Sequence, residues 1–312
     1  MDPLTHTLSG VVMAHTGFRQ RLGRSAVIAL TAGALAPGLD SIMSLWDPFA
    51  AIKYHRGLTH SVFGGVLLAV LVAWPIHRWG SHKRYRDLVG LVYLGILLHI
   101  GLDLVTSFGT RALYPLTSTR FTWDLAFIID PLLTAMLVMP VLVAWRRPHL
   151  AMRATRMGII AAILYLFVAA SAKASATAGF LRELAQRGIP AERIMVVPAP
   201  LSPFRWTALA ASPRRLFRAT VTPGSGAAVD FQSYSQAPRN LFVERSDALE
   251  SVRLFLTFAR APWTQYIARG GEHIVEYRDL GFGAERRLHD MVLRVVMNAA
   301  GMVESVDFNH RF

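Results

Sequence analysis

The chain reads as mainly α, a polytopic helical membrane bundle of about five or six apolar helices with a small C-terminal α+β domain. Three observations predict that class. Of the 312 residues, 53% are hydrophobic and only 17% charged, too apolar a balance for an ordinary soluble domain. Apolar runs approaching the ~20 residues of a span recur through the first half of the chain. Basic residues gather in every second connection between those runs, as they do in cytoplasmic loops of membrane proteins.

The runs are Leu4 to Phe18, Ala26 to Trp46, Ser61 to His77, Leu88 to Phe108, Leu125 to Trp145 and Met157 to Lys173, of which the first and third are short. Asp2 and His6 stand where a cleavable signal carries basic residues, so the first run is expected to stay in the protein. Arg19, Arg21 and Arg24, then Arg78, Lys83, Arg84 and Arg86, then Arg146, Arg147, Arg153 and Arg156 mark three loops on one side, the cytoplasmic one. The other side receives Asp2, His6, Asp40, Asp47, His55, His60, Asp103, Asp124 and Asp130. His15, His77, His82 and His149 fall toward the basic side. The net charge of +13 lies mostly in short loops beside spans, which argues against nucleic acid as a partner and for the lipid bilayer.

Past Lys173 the character changes, and the chain is expected to divide into a helical metal-site domain, 1–178, and an extracytoplasmic α+β domain, 179–312. After a helical stretch ending near Gly188, Arg193 to Val197, Leu216 to Val221, Ala228 to Tyr234, His273 to Tyr277 and Met291 to Met297 have β character. Asn298 to Gly301 reads as a hairpin turn into Met302 to Phe308, and Asp247 to Ala259 as a helix capped by Ser246 or Asp247. His273, His289 and His310 are scattered, so the domain carries no catalytic constellation of its own. Its expected role is to cover or select what reaches the membrane site.

His99 and Asp103 are the most informative pair. They stand four residues apart in a run that should carry no ionisable group, and that spacing puts both on one helix face. Imidazole and carboxylate are ligands that zinc and manganese accept, and the cation would compensate the buried charge. A buried ion pair or helix-to-helix hydrogen bond is the plainer reading. Without cysteine, any metal must use His, Asp or Glu. Around His6, Asp2 or Thr5 can simply cap a helix with Pro3 in its first turn. Pro37 and Gly38 break a helix before Asp40, lining a polar cavity or making an ordinary kink. In His55-Arg56-Gly57-Leu58-Thr59-His60, Gly57 permits a turn, Thr59 can cap the next span, and two His flanking Arg56 suit a metal with an anionic ligand or lipid headgroups. Asp124 and Asp130 are candidates for a general base, or caps beside an aromatic belt.

Taken in order, Asp2-Pro3-Leu4-Thr5-His6, Pro37 to Asp40, His55 to Ser61, His99-x3-Asp103, Thr106 to Arg111, Asp124 and Ile129-Asp130-Pro131 resemble the membrane-bound metal-dependent hydrolases described as LexA-binding and inner-membrane associated. The resemblance covers most of residues 1 to 135. It departs at Gly38, where that family often has Pro-Asp-x-Asp, and this puts a second or third metal in question. The family is distantly similar to the all-helical zinc phospholipase C and P1 nuclease group, and correspondence by order implies His6, Asp40, His60, His99 and Asp103 as ligands. By analogy it implies phosphoester hydrolysis.

The expected function is therefore a membrane-embedded metal-dependent hydrolase of a phosphoester or lipid-like substrate, using water activated by zinc or manganese. Arg56, Arg111 and His55 would hold the substrate, with Arg56 also steadying developing charge and Asp124 or Asp130 acting as base or orienter. The alternative is a non-enzymatic membrane binding or regulatory protein with a structural metal site. A LexA contact follows only from the family's description, and only the short basic loops would be on the right side to make it.

Overall fold

The computed structural model describes residues 1–80, 84–200, 204–224, 228–281 and 291–310, and its chain forms two compact units. His82, Lys83 and His289 lie outside the described residues. The first unit consists chiefly of Met1–Ile42 and Tyr54–Ala172, the second of Met43–Lys53, Lys173–Val197 and Phe204–Phe312.

In the first unit, α1 (Pro3–Met13) begins where Asp2 accepts a hydrogen bond from the Thr5 amide at 3.0 Å and Pro3 supplies the first turn. A π-helical turn, Ala14–Phe18, carries it into α2 (Arg19–Leu22). Helix α3 (Arg24–Leu35) tightens to a 3-10 helix over Ala36–Leu45, and the change falls at Pro37 and Gly38. The short α4 (Ala50–Lys53) belongs to the second unit. Helix α5 (Val62–Trp79) is capped by the Ser61 hydroxyl, which accepts from Gly64 N at 2.8 Å. Thr59, expected there, is engaged elsewhere.

Helices α6 (Tyr85–Leu104), α7 (Pro131–Arg146) and α8 (Ala151–Gln186) complete the unit, α8 running on into the second. Among the described residues four helical stretches are long and apolar enough to cross a bilayer: Arg24–Leu45, Val62–Trp79, Tyr85–Leu104 and Pro148–Gln186. The five or six expected apolar helices are not all of that length: the first run is interrupted by its π-turn, and the fifth is the shorter apolar helix Pro131–Arg146, 16 residues with Pro140 inside it.

Glycine sets how closely these helices approach. A Cβ on Gly33 of α3 would lie 2.1 Å from the Val92 carbonyl oxygen, and one on Gly95 of α6 would lie 2.4 Å from that of Leu30. A Cβ on Gly10 of α1 would come within 2.7 Å of the same Leu30 oxygen. Backbones therefore touch at the α1/α3/α6 junction, as small residues permit in membrane bundles. Leu88, Leu91, Val92, Gly95, Ile96, His99, Ile100 and Asp103 form one buried stripe of α6 at helical spacing, so the polar pair continues the packing face.

The second unit holds two four-stranded sheets. One has the order β1 (Arg193–Pro198), β2 (Trp206–Ser212), β3 (Arg215–Val221), β4 (Ala228–Ser235), and the other β5 (Pro262–Arg269), β6 (Glu272–Asp279), β7 (Met291–Met297), β8 (Val303–His310). Both are antiparallel meanders, with Ala210 opposite Phe217, and Val275 opposite both Tyr266 and Val295. Strands β2 and β5 were not expected. Strand β5 turns into β6 at Gly270-Gly271, a two-residue hairpin signal that the sequence reading passed over, and β2 is mostly alanine and small residues without strong β preference. Asn298 makes the expected turn before β8, its side chain accepting from Ala300 N and Met302 N while Gly301 takes φ 74°. In sequence between the two sheets come α9 (Leu241–Asp247), capped by Asn240, and α10 (Glu250–Phe258), which starts after Leu249 without a side-chain cap from Ser246 or Asp247.

Glu276 of β6 is buried between Arg294, whose Nη2 is 2.5 Å from Oε1, and Arg278, whose Nη2 is 2.9 Å from Oε2. Burial alone would raise its pKa, but the two guanidinium hydrogen bonds hold it below the usual glutamate range.

Two outcomes follow. Gly95→Val should push α3 and α6 apart at a cost of about 1–3 kcal/mol, lowering the thermal midpoint of the detergent-solubilised protein; an unchanged midpoint would show that the approach is not limiting. Because the Glu276 pKa is depressed on folding, its stabilisation is present above the unfolded value and is lost as pH falls through the folded one. Wild type should thus lose more of its thermal midpoint than Glu276→Gln on going from about pH 6 to about pH 3. Parallel losses in the two proteins would remove the glutamate from the acid response.

Candidate metal centre

His99 and Asp103 are placed by α6, His6 by α1, and His60 by the 3-10 turn Leu58–His60 before α5. All four are buried. The His99 Nδ1 lies 2.6 Å from the carbonyl oxygen of Ala34, which is exposed to it because α3 changes to 3-10 geometry immediately afterwards. That contact assigns the hydrogen to Nδ1 and leaves the Nε2 lone pair facing inward. His60 is set in the same sense: its Nδ1 lies 3.1 Å from Asp40 Oδ2, and its Nε2 points at the Nε2 of His99, 3.0 Å away.

Two imidazole lone pairs at that distance repel unless a cation lies between them. The carboxylate of Asp103 completes a triangle, its Oδ2 standing 3.4 Å from His60 Nε2 and 3.5 Å from His99 Nε2. Donor atoms bound at 2.0–2.1 Å in a tetrahedral zinc site are roughly 3.3 Å apart, so the three edges fit one face of such a site. His6 adds a fourth donor, its Nε2 3.3 Å from Asp103 Oδ1 and its ring stacked on His99 at 3.7 Å between centroids. Its Nδ1 is buried without a hydrogen-bond partner.

Asp40 sits behind this triangle. It accepts from His55 Nδ1 at 2.5 Å, from Thr59 Oγ1 at 2.5 Å and from His60 Nδ1 at 3.1 Å. That is the place of a carboxylate that fixes the tautomer and orientation of a metal-binding imidazole. Asp40, His55 and His60 also form a cluster of donors in their own right, with ligand atoms within 4.8 Å of one another, as do His6, His99 and Asp103. His60 joins the two clusters, one ring nitrogen facing each. Burial pushes its pKa down to about 4 against the opposing hydrogen bond to Asp40, keeping the imidazole neutral as a ligand must be.

Arg56 is buried beside the cluster, donating from Nη2 to Asp103 Oδ1 at 2.9 Å and from Nη1 to Thr106 Oγ1 at 2.9 Å. The Met1 backbone nitrogen also meets Asp103 Oδ1, at 2.6 Å. Arg56 holds a left-handed backbone conformation, φ 58°, which aims its side chain inward. A cavity of about 400 Å³ opens here, lined by His6, Gly38, His55, Arg56, His99 and Asp103 among others. Gly38 faces His99: a Cβ there would lie 3.6 Å from its Cε1.

The remaining residues expected at the site lie around it. Arg111 bonds through its amide to the Arg56 carbonyl at 3.1 Å, in a loop closed by the Thr110–Phe121 bridge. Asp124 is buried two residues from Thr122, whose hydroxyl donates to it at 3.4 Å, and Asp130 caps α7 while accepting from the Tyr165 hydroxyl at 2.5 Å. Neither aspartate lines the cavity. Sequence reasoning missed the Ala34 carbonyl, which has no side-chain signature, and Arg120, which stands in a segment without periodicity. Arg120 donates to the Gly109 carbonyl at 3.2 Å and the His55 carbonyl at 3.5 Å.

Comparison with known proteins adds family membership. The chain is 25% identical over 138 residues to the uncharacterized protein YfhP of Bacillus subtilis (strain 168), a match covering 42% of each chain, so it spans less than half of that relative's length. No solved structure matches it. The model of the family described as YdjM inner membrane protein matches residues 1–176, more than half of the chain and every member of the His/Asp cluster. With several apolar helices beside that match, the chain is a multi-pass inner-membrane protein and belongs to the YdjM inner membrane protein family.

Proposed function

We propose that this protein is a membrane-embedded metal-dependent hydrolase acting on a phosphoester or lipid-like substrate. The observation that carries the reading is the triangle of His60 Nε2, His99 Nε2 and Asp103 Oδ2, with edges of 3.0, 3.4 and 3.5 Å beside a cavity. His60, His99, Asp103 and His6 would hold a zinc or manganese ion, which would act as a Lewis acid and activate water at neutral pH. Asp40 and the Ala34 carbonyl hold the two imidazoles in the ligating tautomer. Arg56, with one side chain committed to Asp103 and Thr106, keeps the ligand carboxylate ionised and brings positive charge to the cavity where an anionic oxygen would develop. His55, on the cavity wall and hydrogen-bonded to Asp40, is better placed to meet substrate or water than Asp124 or Asp130.

One feature favours a second reading. Arg56 already pairs with the Asp103 carboxylate, so the cluster also suits a polar staple between helices in a non-enzymatic membrane protein. Metal analysis separates the two. Purified wild type should carry stoichiometric metal, and His99→Ala and Asp103→Ala should each remove most of it, while the double variant loses little more than either single, since one shared ion makes the effects non-additive. A phosphodiester and phospholipid hydrolysis screen should then show turnover that a chelator abolishes. Retention of metal by His99→Ala, or a wild type without metal, sinks the hydrolase reading.

With α1 and α7 crossing beside the four longer stretches, the basic loops support one orientation: eleven of the sixteen Lys and Arg in residues 1–178 lie in the three connections assigned to the cytoplasm, which would put the cavity and the domain after about Gly179 outside. The chain has no cysteine, so single substitutions report cleanly. Arg147→Cys should resist, and Arg239→Cys accept, a membrane-impermeant thiol reagent added to intact cells; the reverse pattern overturns the orientation.

A further inference from the structure

The cavity over the His/Asp cluster has a floor and a lip of opposite character. Its floor is buried and polar, with Arg56, His6, His99 and Asp103. Its lip is exposed and largely apolar: Pro3 in the first turn of α1, Leu35 at the end of α3, and Leu39 in the 3-10 helix that follows. Leu39 is 63% exposed, and Leu4, beside Pro3, is 57% exposed. The opening comes from the way α1 and α3 meet. Their backbones touch at Gly10, where a Cβ would lie 2.7 Å from the Leu30 carbonyl oxygen, whereas toward Pro3 and Leu35 the two helices line the cavity instead.

The lip also lies deep. Leu35 stands near the middle of Arg24–Leu45, a 22-residue stretch apolar enough to cross the bilayer, about 16 Å along the helix from its start. With a hydrocarbon layer of about 30 Å, leucine side chains exposed at that depth meet acyl chains and not water. The chamber behind them, about 400 Å³, is near the lower end of the roughly 300–1,000 Å³ usual for ligand sites. It has room for a headgroup, while the chains of a lipid remain outside it. On the floor Arg56 keeps its Nε buried without a hydrogen-bond partner, a donor for an oxygen of that headgroup. A polar end inside and a hydrocarbon end at the lip describe an amphiphile drawn from the bilayer.

We propose that the cavity takes a membrane phospholipid sideways from the bilayer, its headgroup over Arg56 and the His/Asp cluster and its hydrocarbon passing out between α1 and α3 along Leu35 and Leu39. This deepens the hydrolase reading by choosing a lipid over a soluble phosphoester, and rests on that reading only for the phosphate of the headgroup. Gly38 lines the same chamber, and a Cβ there would stand 3.6 Å from His99 Cε1, so a larger side chain at this position takes up the space the headgroup needs.

Photolabelling tests the passage. Full-length protein is placed in phosphatidylcholine nanodiscs containing phosphatidic acid with a diazirine in its acyl chain, with chelator present so that no turnover consumes the probe, and adducts are mapped by peptide mass spectrometry. Labelling at Leu4, Leu35 and Leu39 should exceed that at Ile160, Leu164 and Phe167, exposed residues of the membrane helix α8, by about tenfold or more. Short-chain phosphatidic acid should erase the excess, and glycerol phosphate at the same concentration should leave it, because the buried chain adds to affinity. Gly38→Leu should lose the excess while zinc uptake verifies that the cluster is intact; where that variant does not fold, the wild-type competition decides. Labelling no stronger at the lip than on α8, or an excess that survives short-chain phosphatidic acid or a folded Gly38→Leu, means that only bulk lipid touches the lip and overturns the proposal. Equal competition by glycerol phosphate also overturns it, in favour of a soluble phosphoester, and leaves the hydrolase reading standing. Competed labelling in a protein that takes up no metal supports the lipid seat while the hydrolase reading fails.

Discussion

A carboxylate in an apolar helix is the constraint on which the first unit turns. Asp103 is buried on the packing face of α6, and an ionised group out of water costs several kcal/mol unless partners replace its hydration. Its oxygens are met by Arg56, the Met1 nitrogen and three imidazoles, drawn from α1, the turn before α5 and α6 itself. Those elements must be brought close, and the bare glycine surfaces of α1, α3 and α6 allow it. The left-handed backbone at Arg56 belongs to the same constraint. A non-glycine residue holds that conformation at a cost of order 1–3 kcal/mol, retained here because the side chain it directs inward answers a larger cost.

Much of this was legible in the residues and some was not. Helical spacing placed His99 and Asp103 on one face, and ionisable chemistry in an apolar run marked them, because helix geometry is local and burial penalties are large. The switch at Pro37 and Gly38 was equally local. What the chain does not encode locally is pairing between segments. Asp40 stands behind His60 rather than among its triangle of donors, a relation fixed by how two loops meet. Thr59 bonds to Asp40 while its neighbour Ser61 takes the capping role, and both hydroxyls suit either task. The fifth apolar run, counted as a span, spends its first residues in an irregular chain, since hydropathy registers composition and not hydrogen bonding.

In the second unit the same division holds. The β-branched strands β7 and β8 and their Asn-to-Gly turn announce themselves, whereas β2, rich in alanine, is a strand only because β1 and β3 flank it. The buried Glu276 between two arginines is a register effect: Arg294 lies directly opposite it on β7, and a shift of one residue would put the carboxylate against an apolar neighbour.

Gly38 leaves a latent degree of freedom in the cavity. The spot its missing side chain would fill is at ordinary van der Waals distance from His99, neither blocked nor remote. Charge in this chamber can therefore be tuned by one codon without moving the backbone. A relative bearing an acid there would work with a cavity one unit less positive, while glycine leaves the position uncharged and roomier. Divergence among such proteins in the charge and bulk of what they accept needs no change in architecture, only a different occupant of this one position.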